Sequence, residues 1–204
     1  EALDGDKFAP VPLNVKEIEA FSSRNINDAE DHIQADVPQW LAPSLHANFA
    51  EEWVAEMQAM ALRPSLDVRA NTLKATQDKV LKSLSKQKAN RTQIARQGVR
   101  IAPTAGPSRH PNVQAEPAFQ KGWFDIQDEG SQIVAGLIYA QPGEQVLDFC
   151  AGAGGKTLAM AATMENRGQI HAYDADKNRL KPIFERLKRA GVRNSQVHGP
   201  DDDL

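Results

Sequence analysis

The stretch Val146-Leu-Asp-Phe-Cys-Ala-Gly-Ala-Gly-Gly-Lys-Thr157, followed by Ile170-His-Ala-Tyr-Asp-Ala-Asp176, decides the fold of this chain. It predicts a buried strand, a glycine-rich loop, a helix, and a second strand that ends in an acid. The loop 151–155 carries only small side chains, so its backbone can approach a ligand closely, and the N–H groups that open the next helix point to the same place. Asp174 would lie beside this loop and accept hydrogen bonds from a ribose diol. We therefore expect a ligand that contains a ribose.

Three nucleotide-binding patterns compete for this loop. A Walker A loop needs a glycine five positions before the glycine of Gly155-Lys156-Thr157, and Cys150 stands there, so the ATP-binding pattern is excluded. A dinucleotide pattern, G-x-G-x-x-G, fits Gly152 and Gly154 but places Thr157 at its third glycine. This mismatch weakens, but does not exclude, the interpretation of the chain as a nicotinamide-dependent oxidoreductase. A glycine-rich turn with an acid about 20 residues downstream remains, and it suits a nucleoside ligand such as S-adenosylmethionine.

Three motifs carry a resemblance to one family. The segment Asp148-Phe-Cys-Ala-Gly-Ala-Gly-Gly-Lys-Thr157 resembles the Asp-x-Cys-Ala-Ala-Pro-Gly-Gly-Lys-Thr motif of the RsmB-type (Sun/Fmu) RNA cytosine-5 methyltransferases. It departs from that motif at Gly152 and Ala153, and neither change adds bulk to the loop. Upstream, Gly122-Trp-Phe-Asp-Ile-Gln-Asp-Glu-Gly-Ser-Gln132 resembles the family's Gly-x-x-x-x-Gln-Asp-x-x-Ser-Gln element, and Leu66-Asp-Val-Arg-Ala-Asn-Thr-Leu73 its Leu-Arg-x-Asn-Thr-Leu strand. The resemblance runs from about residue 40 to the end.

The resemblance implies an α/β fold with two parts. A Rossmann-like, S-adenosylmethionine-dependent methyltransferase domain, incomplete in this chain, should follow a small α+β module. We assign residues 1–36 to a linker or the tail of an upstream domain, 37–121 to the α+β RNA-binding module with its connecting loop, and 122–204 to the N-terminal part of the methyltransferase domain. The implied function is methylation of C5 of cytosine in RNA, specifically ribosomal RNA. A non-catalytic RNA-binding relative is the alternative.

The resemblance also implies a set of cofactor-binding residues. The loop would surround the methionine part of S-adenosylmethionine, with Asp174 on the ribose and Asp201 as a weaker candidate for the adenine amino group. Lys156 lies at the start of a helix, where a positive charge opposes the helix dipole, and this placement favours a ligand contact. The loop residues of the set are Cys150, Ala151, Gly152, Ala153, Gly154, Gly155 and Lys156.

No catalytic residue is expected within residues 1–204. Because cytosine C5 is not nucleophilic, enzymes of this family add a cysteine thiolate to C6, methylate C5, and eliminate with the help of a second cysteine. Their cysteines lie in Pro-Cys and Thr-Cys motifs after later strands, whereas Cys150, the one cysteine here, belongs to the cofactor loop. We expect the 204-residue chain to be part of a longer polypeptide, inactive by itself, with about three strands of the sheet and an exposed apolar edge.

Composition sets further expectations. The chain is 41% hydrophobic and 25% charged, which is typical of a soluble protein, and no apolar run approaches the roughly 18 residues of a membrane span. A single cysteine excludes an internal disulfide and fits a reducing cytoplasm. We expect a monomer that binds RNA, with no membrane and no metal among its partners.

The net charge of −3 conceals a strong local asymmetry. Residues 1–60 hold twelve acids and three bases, whereas residues 74–100 hold eight Lys or Arg and Asp78 alone. A second basic run, 177–193, contains Glu185 as its only acid. Such clusters can neutralise RNA phosphates in a salt-dependent manner. For both runs, a solvated helix face is the alternative.

Hydrophobic periodicity predicts the other elements. One amphipathic helix should run from Leu45 to Met60 and place its Trp and Met side chains in the core. The α+β module should contain a strand over 66–73, a helix over 77–86 capped by Thr76, and a strand over 98–101. After a strand over 123–127, a helix capped by Asp128 or Ser131 should bury one apolar face, made of Ile133, Val134, Leu137 and Ile138.

Polar residues of the two upstream motifs allow two interpretations. Arg69 and Asn71 could contact RNA or pair locally, and the sequence favours local pairing. The polar residues of the second motif either cap a helix or contribute to the cofactor site, and the sequence does not separate these roles; they are Gln127, Asp128, Ser131 and Gln132.

Overall fold

The computed structural model describes residues 11–104 and 110–202, and the chain divides into two compact units between Arg63 and Pro64. Parts of the predicted linker and connecting loop, residues 1–10 and 105–109, lie outside the described residues, as do the last two residues. The predicted domain boundaries at 36/37 and 121/122 differ from this division, and the three-part assignment stays a prediction. No helix among the described residues is long and apolar enough to cross a membrane.

The first unit is helical. Its helices are α1 (Val15–Ser22), α2 (Asp31–Gln34), α3 (Ala42–Phe49) and α4 (Trp53–Ala61). The prediction of one continuous helix from Leu45 to Met60 is wrong, because Ala50 adopts a φ of 48° and separates α3 from α4. Trp53 and Met57 are buried as predicted, whereas Met60 is exposed. The predicted row of Trp and Met side chains is therefore only partly buried in a core.

The second unit begins with an antiparallel sheet. Its strands are β1 (Leu66–Ala70), β2 (Asn90–Arg91), β3 (Gly98–Ile101) and β4 (Phe124–Ile126), in the order β2-β3-β1-β4. Helices α5 (Gln77–Ser83) and α6 (Pro117–Gln120) accompany it. Thr76 caps α5 as predicted, and its side chain accepts a hydrogen bond from the Lys79 N–H. Val80 and Leu84 pack into one core with Val68, Val99 and Phe124. The predicted α+β module is confirmed, and β4 pairs with β1 of this sheet.

A parallel sheet completes the second unit. After α7 (Glu129–Gly136), the chain forms β5 (Gln145–Asp148), α8 (Gly155–Thr163), β6 (Gln169–Tyr173), α9 (Lys177–Leu180), α10 (Ile183–Ala190) and β7 (Ser195–His198). The three strands pair in the order β5-β6-β7. Ile170 and Ala172 of β6 are fully buried against residues of α8 and α10. This arrangement is the Rossmann-like start that the sequence predicted.

The apolar face predicted for α7 is wrong. Val134, Leu137 and Ile138 are exposed, and the side of α7 that is buried consists of Glu129, Gln132 and Ala135. The helix contacts α8 and β1. Apolar periodicity identified a face suited to packing against another element, but no described residues cover that face. The predicted apolar edge of the sheet is present, since Leu147 of β5 and the adjacent Phe149 are 54% and 58% exposed.

One face of β1 is polar and buried. Asp67 and Arg69 on β1, and Asn71 just after its last residue, are spaced two residues apart and are exposed by 6%, 5% and 2%. Asp67 accepts two hydrogen bonds from Arg100 of β3 and one from the N–H of Glu129 in α7. Burial opposes the charge of Asp67, but these bonds outweigh it and lower the pKa of Asp67.

Asn71 links three parts of the second unit. Its side-chain amide donates to the carbonyl of Gly122, just before β4, and to the carbonyl of Ala190 at the end of α10, each at 2.8 Å. These bonds confirm local pairing rather than an RNA contact for Asn71. Because both carbonyls lie in a buried setting, they have no water to replace the amide.

We predict that Asn71→Ala lowers the free energy of unfolding by about 2–4 kcal/mol, since two buried carbonyls lose their donor. Urea denaturation measures the change. Asn90→Ala is the matched control, because its amide donates to the Lys88 carbonyl in an exposed position, and we expect less than about 0.5 kcal/mol there. Equal losses in the two variants would contradict this role of Asn71.

Candidate functional site

The glycine loop between β5 and α8 is held in a defined shape. Gly152 and Gly154 have φ values of 51° and 79°, in the left-handed region that favours glycine. A β-carbon on Gly154 would stand 2.5 Å from Cγ1 of Ile183, so no other residue fits without a shift of α10. The N–H of Ala151 donates to the Tyr173 carbonyl at 2.8 Å, which attaches the loop to β6.

Asp174 joins the end of β6 to the loop. Its Oδ2 accepts the N–H of Gly152 at 2.8 Å, its Oδ1 accepts the N–H of Asp176 at 2.9 Å, and the residue is 3% exposed. The hydrogen bond from Asp176, followed by that from Gly152, lowers the pKa of Asp174 despite its burial. Asp174 is therefore a carboxylate at neutral pH, placed beside the glycine loop as the sequence predicted.

A cavity of about 360 Å³ adjoins the loop, and Asp174 is not among the residues that line it. Gln127 and Asp128 line it from the turn between β4 and α7, Ser131 from α7, and Arg186 from α10. The loop and its flanks contribute Asp148, Cys150, Ala151, Gly155 and Lys156. The structure thus brings the second sequence motif and the glycine loop together around one cavity. Its volume is within the range of small-molecule sites.

Each predicted site residue has a definite place. Cys150, Ala151, Gly155 and Lys156 line the cavity. Ala153 does not line it, and its carbonyl accepts a hydrogen bond from Arg186 at 2.8 Å. Gly152 and Gly154 shape the loop. Asp201, after β7, forms an ion pair with Lys177 and is exposed at the same edge of the sheet.

The two interpretations of the second motif are now separable. Asp128 is the N-cap of α7, and its Oδ1 accepts the N–H of Ser131, so its side chain has a structural role. Gln132 donates to the carbonyl of Gln127. Each of these two glutamines keeps one buried side-chain atom without a hydrogen-bond partner among the described residues, Nε2 of Gln127 and Oε1 of Gln132. The first of them is packed on the glycine loop. That atom stands 3.7 Å from the point that a β-carbon on Gly155 would occupy.

Arg186 and Asp148 were missing from the predicted set. Arg186 supports the loop through Ala153 and also lies 3.5 Å from Asp125. Asp148 accepts a hydrogen bond of 2.6 Å from the hydroxyl of Thr157. For Arg186 the sequence held a signal, because this residue lies on α10 next to the apolar residues Ile183 and Leu187, which are buried. The sequence analysis assigned it to a basic run instead.

The second basic run is largely paired within the unit. Arg186 and Arg189 contact the buried carboxylate of Asp125, and Lys177 pairs with Asp201. In the first basic run, Arg100 pairs with Asp67 and Arg91 with Asp78. Six exposed cations of that run form no ion pair within residues 11–104 and 110–202. Lys74 donates to main-chain carbonyls and Lys79 lies over the Trp123 ring. The other four are Lys82, Lys86, Lys88 and Arg96. No group of three or more His, Cys, Asp or Glu in these ranges could hold a metal ion.

Two sequence-family models match the chain. The model of the RsmF/B-like methyltransferase ferredoxin-like domain matches residues 37–105, and that of the 16S rRNA methyltransferase RsmB/F matches residues 135–203. They fall on the antiparallel and parallel sheets respectively. The match to a ferredoxin-like domain agrees with the observed α+β module.

Curated relatives and a solved structure agree with these matches. The chain is 32% identical over 171 residues to the probable ribosomal RNA small subunit methyltransferase B of Synechocystis sp., covering 80% of this chain and 36% of that protein. It is 30% identical over 157 residues to the ribosomal RNA small subunit methyltransferase B of Pseudomonas syringae pv. tomato, covering 76% and 34%. A methyltransferase homolog protein from Pyrococcus horikoshii superposes with a TM-score of 0.70 at 28% identity, covering 83% of this chain and 54% of that one. The chain therefore spans about a third of the length of these curated relatives.

The lowered pKa of Asp174 predicts a pH dependence of stability. A carboxylate whose pKa is lower in the folded than in the unfolded state stabilises the fold above its ordinary pKa of 3.8, and this stabilisation is lost as the pH falls through the lowered value. We expect Asp174→Asn to lower the urea midpoint at pH 7 and to differ less and less from the unsubstituted chain below about pH 3.8. A difference that stays constant down to pH 2 would show that the charge of Asp174 does not hold the loop.

Proposed function

The chain belongs to the RsmB/F family of 16S rRNA methyltransferases, and from this membership we propose that it forms the ferredoxin-like module and the first part of the catalytic domain of an S-adenosylmethionine-dependent enzyme that methylates C5 of cytosine in ribosomal RNA. The observation that carries the proposal is the carboxylate of Asp174 bonded to Gly152 of the glycine loop. An acid and a small-residue loop meet there at the carboxyl ends of two parallel strands, where nucleoside ligands bind in such sheets.

Asp174 can hold a ribose without giving up its structural bonds. Each of its oxygens accepts one backbone N–H, and a carboxylate oxygen has two lone pairs, so one acceptor position on each oxygen remains. Two neighbouring hydroxyl groups of a ribose match two such positions. Asp201, after the end of β7, is the proposed acceptor for the adenine amino group. Its carboxylate also forms an ion pair with Lys177, so it would need an oxygen lone pair that this ion pair leaves open.

The cavity behind the loop fits the methionine part of the cofactor. It contains cations and carboxylates together, as an amino acid with a charged amine and a charged carboxylate requires. We assign the contacts to Cys150, Ala151, Gly155 and Lys156 on the loop side. When bound, S-adenosylmethionine supplies a methyl group on a sulfonium; the described residues bind and orient it. Cys150 lines this cavity, which supports a place in the cofactor loop rather than as the nucleophile.

The RNA surface is the exposed basic side of the ferredoxin-like module. Lys82, Lys86 and Lys88 lie on and after α5, and Arg96 lies in the loop before β3; they are exposed and form no ion pair within the described ranges. Free cations of this kind neutralise phosphates. With ribosomal RNA as the proposed substrate, we also propose a cytoplasmic location. A monomeric state and the absence of a metal partner stay predictions.

We predict that the 204-residue chain binds S-adenosylmethionine in preference to NAD, and that Asp174→Ala weakens this binding at least about tenfold, because two hydrogen bonds to a charged acceptor are lost. Isothermal titration calorimetry measures both. Asp176→Ala is the matched control, since it removes a neighbouring carboxylate that caps α9, and we expect less than about a twofold change. Preference for NAD would instead favour an oxidoreductase, and unchanged affinity in Asp174→Ala would remove the ribose assignment.

We also predict that Lys82→Ala and Lys86→Ala each reduce the salt dependence of RNA binding. For a single-stranded RNA oligonucleotide, the slope of log K against log salt should fall in magnitude by about 0.7–1 per lost phosphate contact. Fluorescence anisotropy at several salt concentrations gives the slope. Lys16→Ala, an exposed lysine of α1 in the acidic first unit, is the control of equal charge change and should leave the slope unchanged. Identical slopes for all variants would show that these lysines lie on a solvated helix face and do not contact phosphates.

A further inference from the structure

The exposed side of α10 combines one aromatic side chain with two cations. Phe184 is 59% exposed, and the exposed residues Lys181 and Lys188 precede and follow it by three and four positions. Lys181 and Pro182 both have right-handed helical backbone angles, so the helical path continues from α9 into α10. Residues spaced by three and four positions on such a path lie on one side of it. Lys181, Phe184 and Lys188 therefore form a single row along the helix, which we call the α10 stripe.

The other sides of α10 serve the fold. One side is buried in a core and consists of Ile183, Leu187 and Ala190. Another carries Arg186 and Arg189, which pair with Asp125. The two lysines of the α10 stripe form no ion pair among the described residues, and neither pairs with the neighbouring Glu185. A single exposed phenylalanine is common on protein surfaces, but an aromatic ring between unpaired cations is typical of sites for single-stranded nucleic acid.

Lysines of the ferredoxin-like module reach the C-terminal end of α10. The ammonium group of Lys74 donates to the carbonyl of Arg189, in the last turn of α10, at 2.7 Å and to the carbonyl of Lys121 at 3.3 Å. The ammonium groups of Lys79 and Lys121 lie 3.9 and 5.4 Å from the ring centroid of Trp123. All three lysines are exposed. Positive charge therefore continues from α5 of the module to the helix that carries the α10 stripe.

We propose that the α10 stripe is a second RNA contact, in which a nucleobase of a single-stranded segment stacks on Phe184 while Lys181 and Lys188 bind phosphates on either side of that base. The bases of a duplex are stacked on their neighbours, so the partner is a single strand. Every base offers a flat face to an aromatic ring, so this contact tolerates any sequence. The inference rests on the proposed function, because it takes RNA as the substrate. It adds a base-stacking contact from the methyltransferase part, outside the basic side of the module.

The test is fluorescence anisotropy of the 204-residue chain with a labelled single-stranded RNA of about 12 nucleotides. Phe184→Leu keeps an apolar side chain but removes the ring, so the affinity should fall about fivefold or more while the salt slope stays the same. Lys181→Ala and Lys188→Ala should each reduce the magnitude of the slope by about 0.7. An oligonucleotide of equal length without bases keeps the phosphates, so Phe184→Leu should bind it as tightly as the unsubstituted chain does.

Tyr139→Leu is the matched control. Tyr139, just after α7, is 72% exposed, and no Lys or Arg lies within four positions of it, so its loss should change RNA affinity by less than about twofold. Thermal unfolding of each variant measures stability separately.

Three outcomes would overturn the inference. Phe184→Leu could bind RNA as tightly as the unsubstituted chain, or it could lose the same factor with the oligonucleotide that lacks bases. Sedimentation velocity could also show that Phe184→Leu turns a dimer into a monomer, which would make the α10 stripe an interface between copies. In each case the basic side of the module keeps its proposed role. If the unsubstituted chain binds no RNA at all, the RNA surface of the proposed function is rejected together with the α10 stripe.

Discussion

The buried polar face of β1 is the constraint on which the second unit depends. Asp67 and Arg69 lie on the strand and Asn71 directly follows it, and each requires partners because a buried polar group without them is costly. Asp67 satisfies this need at the start of α7, Arg69 at Gln127, and Asn71 at the end of α10. Each partner belongs to a segment that lines or supports the cavity. The apolar side chains of β1 therefore pack in the core of the antiparallel sheet, while the polar side chains position the segments around the cavity.

The glycine loop depends on a second, smaller set of contacts. Asp174 orders Gly152 through a bond from a buried carboxylate, and Arg186 holds the carbonyl of Ala153. Both act on backbone groups, which the small side chains of the loop leave accessible. The loop is thus shaped by residues on β6 and α10 before any ligand arrives. Such pre-organisation reduces the entropy that a ligand must lose on binding.

The sequence predicted what local rules determine. The glycine loop, Asp174, the Thr76 cap and most strands of the two sheets follow from turn chemistry and periodicity and are present, whereas the two-residue strand β2 was not predicted. The exposed face of α7 and the break at Ala50 were not predictable in this way. Burial of Val134 and Leu137 depends on which side of α7 receives a neighbour, and periodicity does not contain that information. The partner of Arg186 was equally hidden, because Asp125 lies about sixty residues away in the chain.

Charge counts along the sequence mislead for the same reason. The run 177–193 is as basic as the run 74–100, yet Arg186 and Arg189 neutralise a buried carboxylate, and they strengthen the fold rather than offer charge to RNA. Lys181, Lys188 and Arg193 of that run are exposed and form no ion pair among the described residues, and the same holds for Lys82, Lys86, Lys88 and Arg96 of the run 74–100. Its loop before β3 is tied to the cavity, since the N–H groups of Ile94 and Ala95 donate to Glu129, two residues after Gln127. A cation on that loop, such as Arg96, is therefore anchored close in structure to the segment that lines the cavity. Two hydrogen bonds thus join the loop that carries Arg96 to the helix that begins beside the cavity.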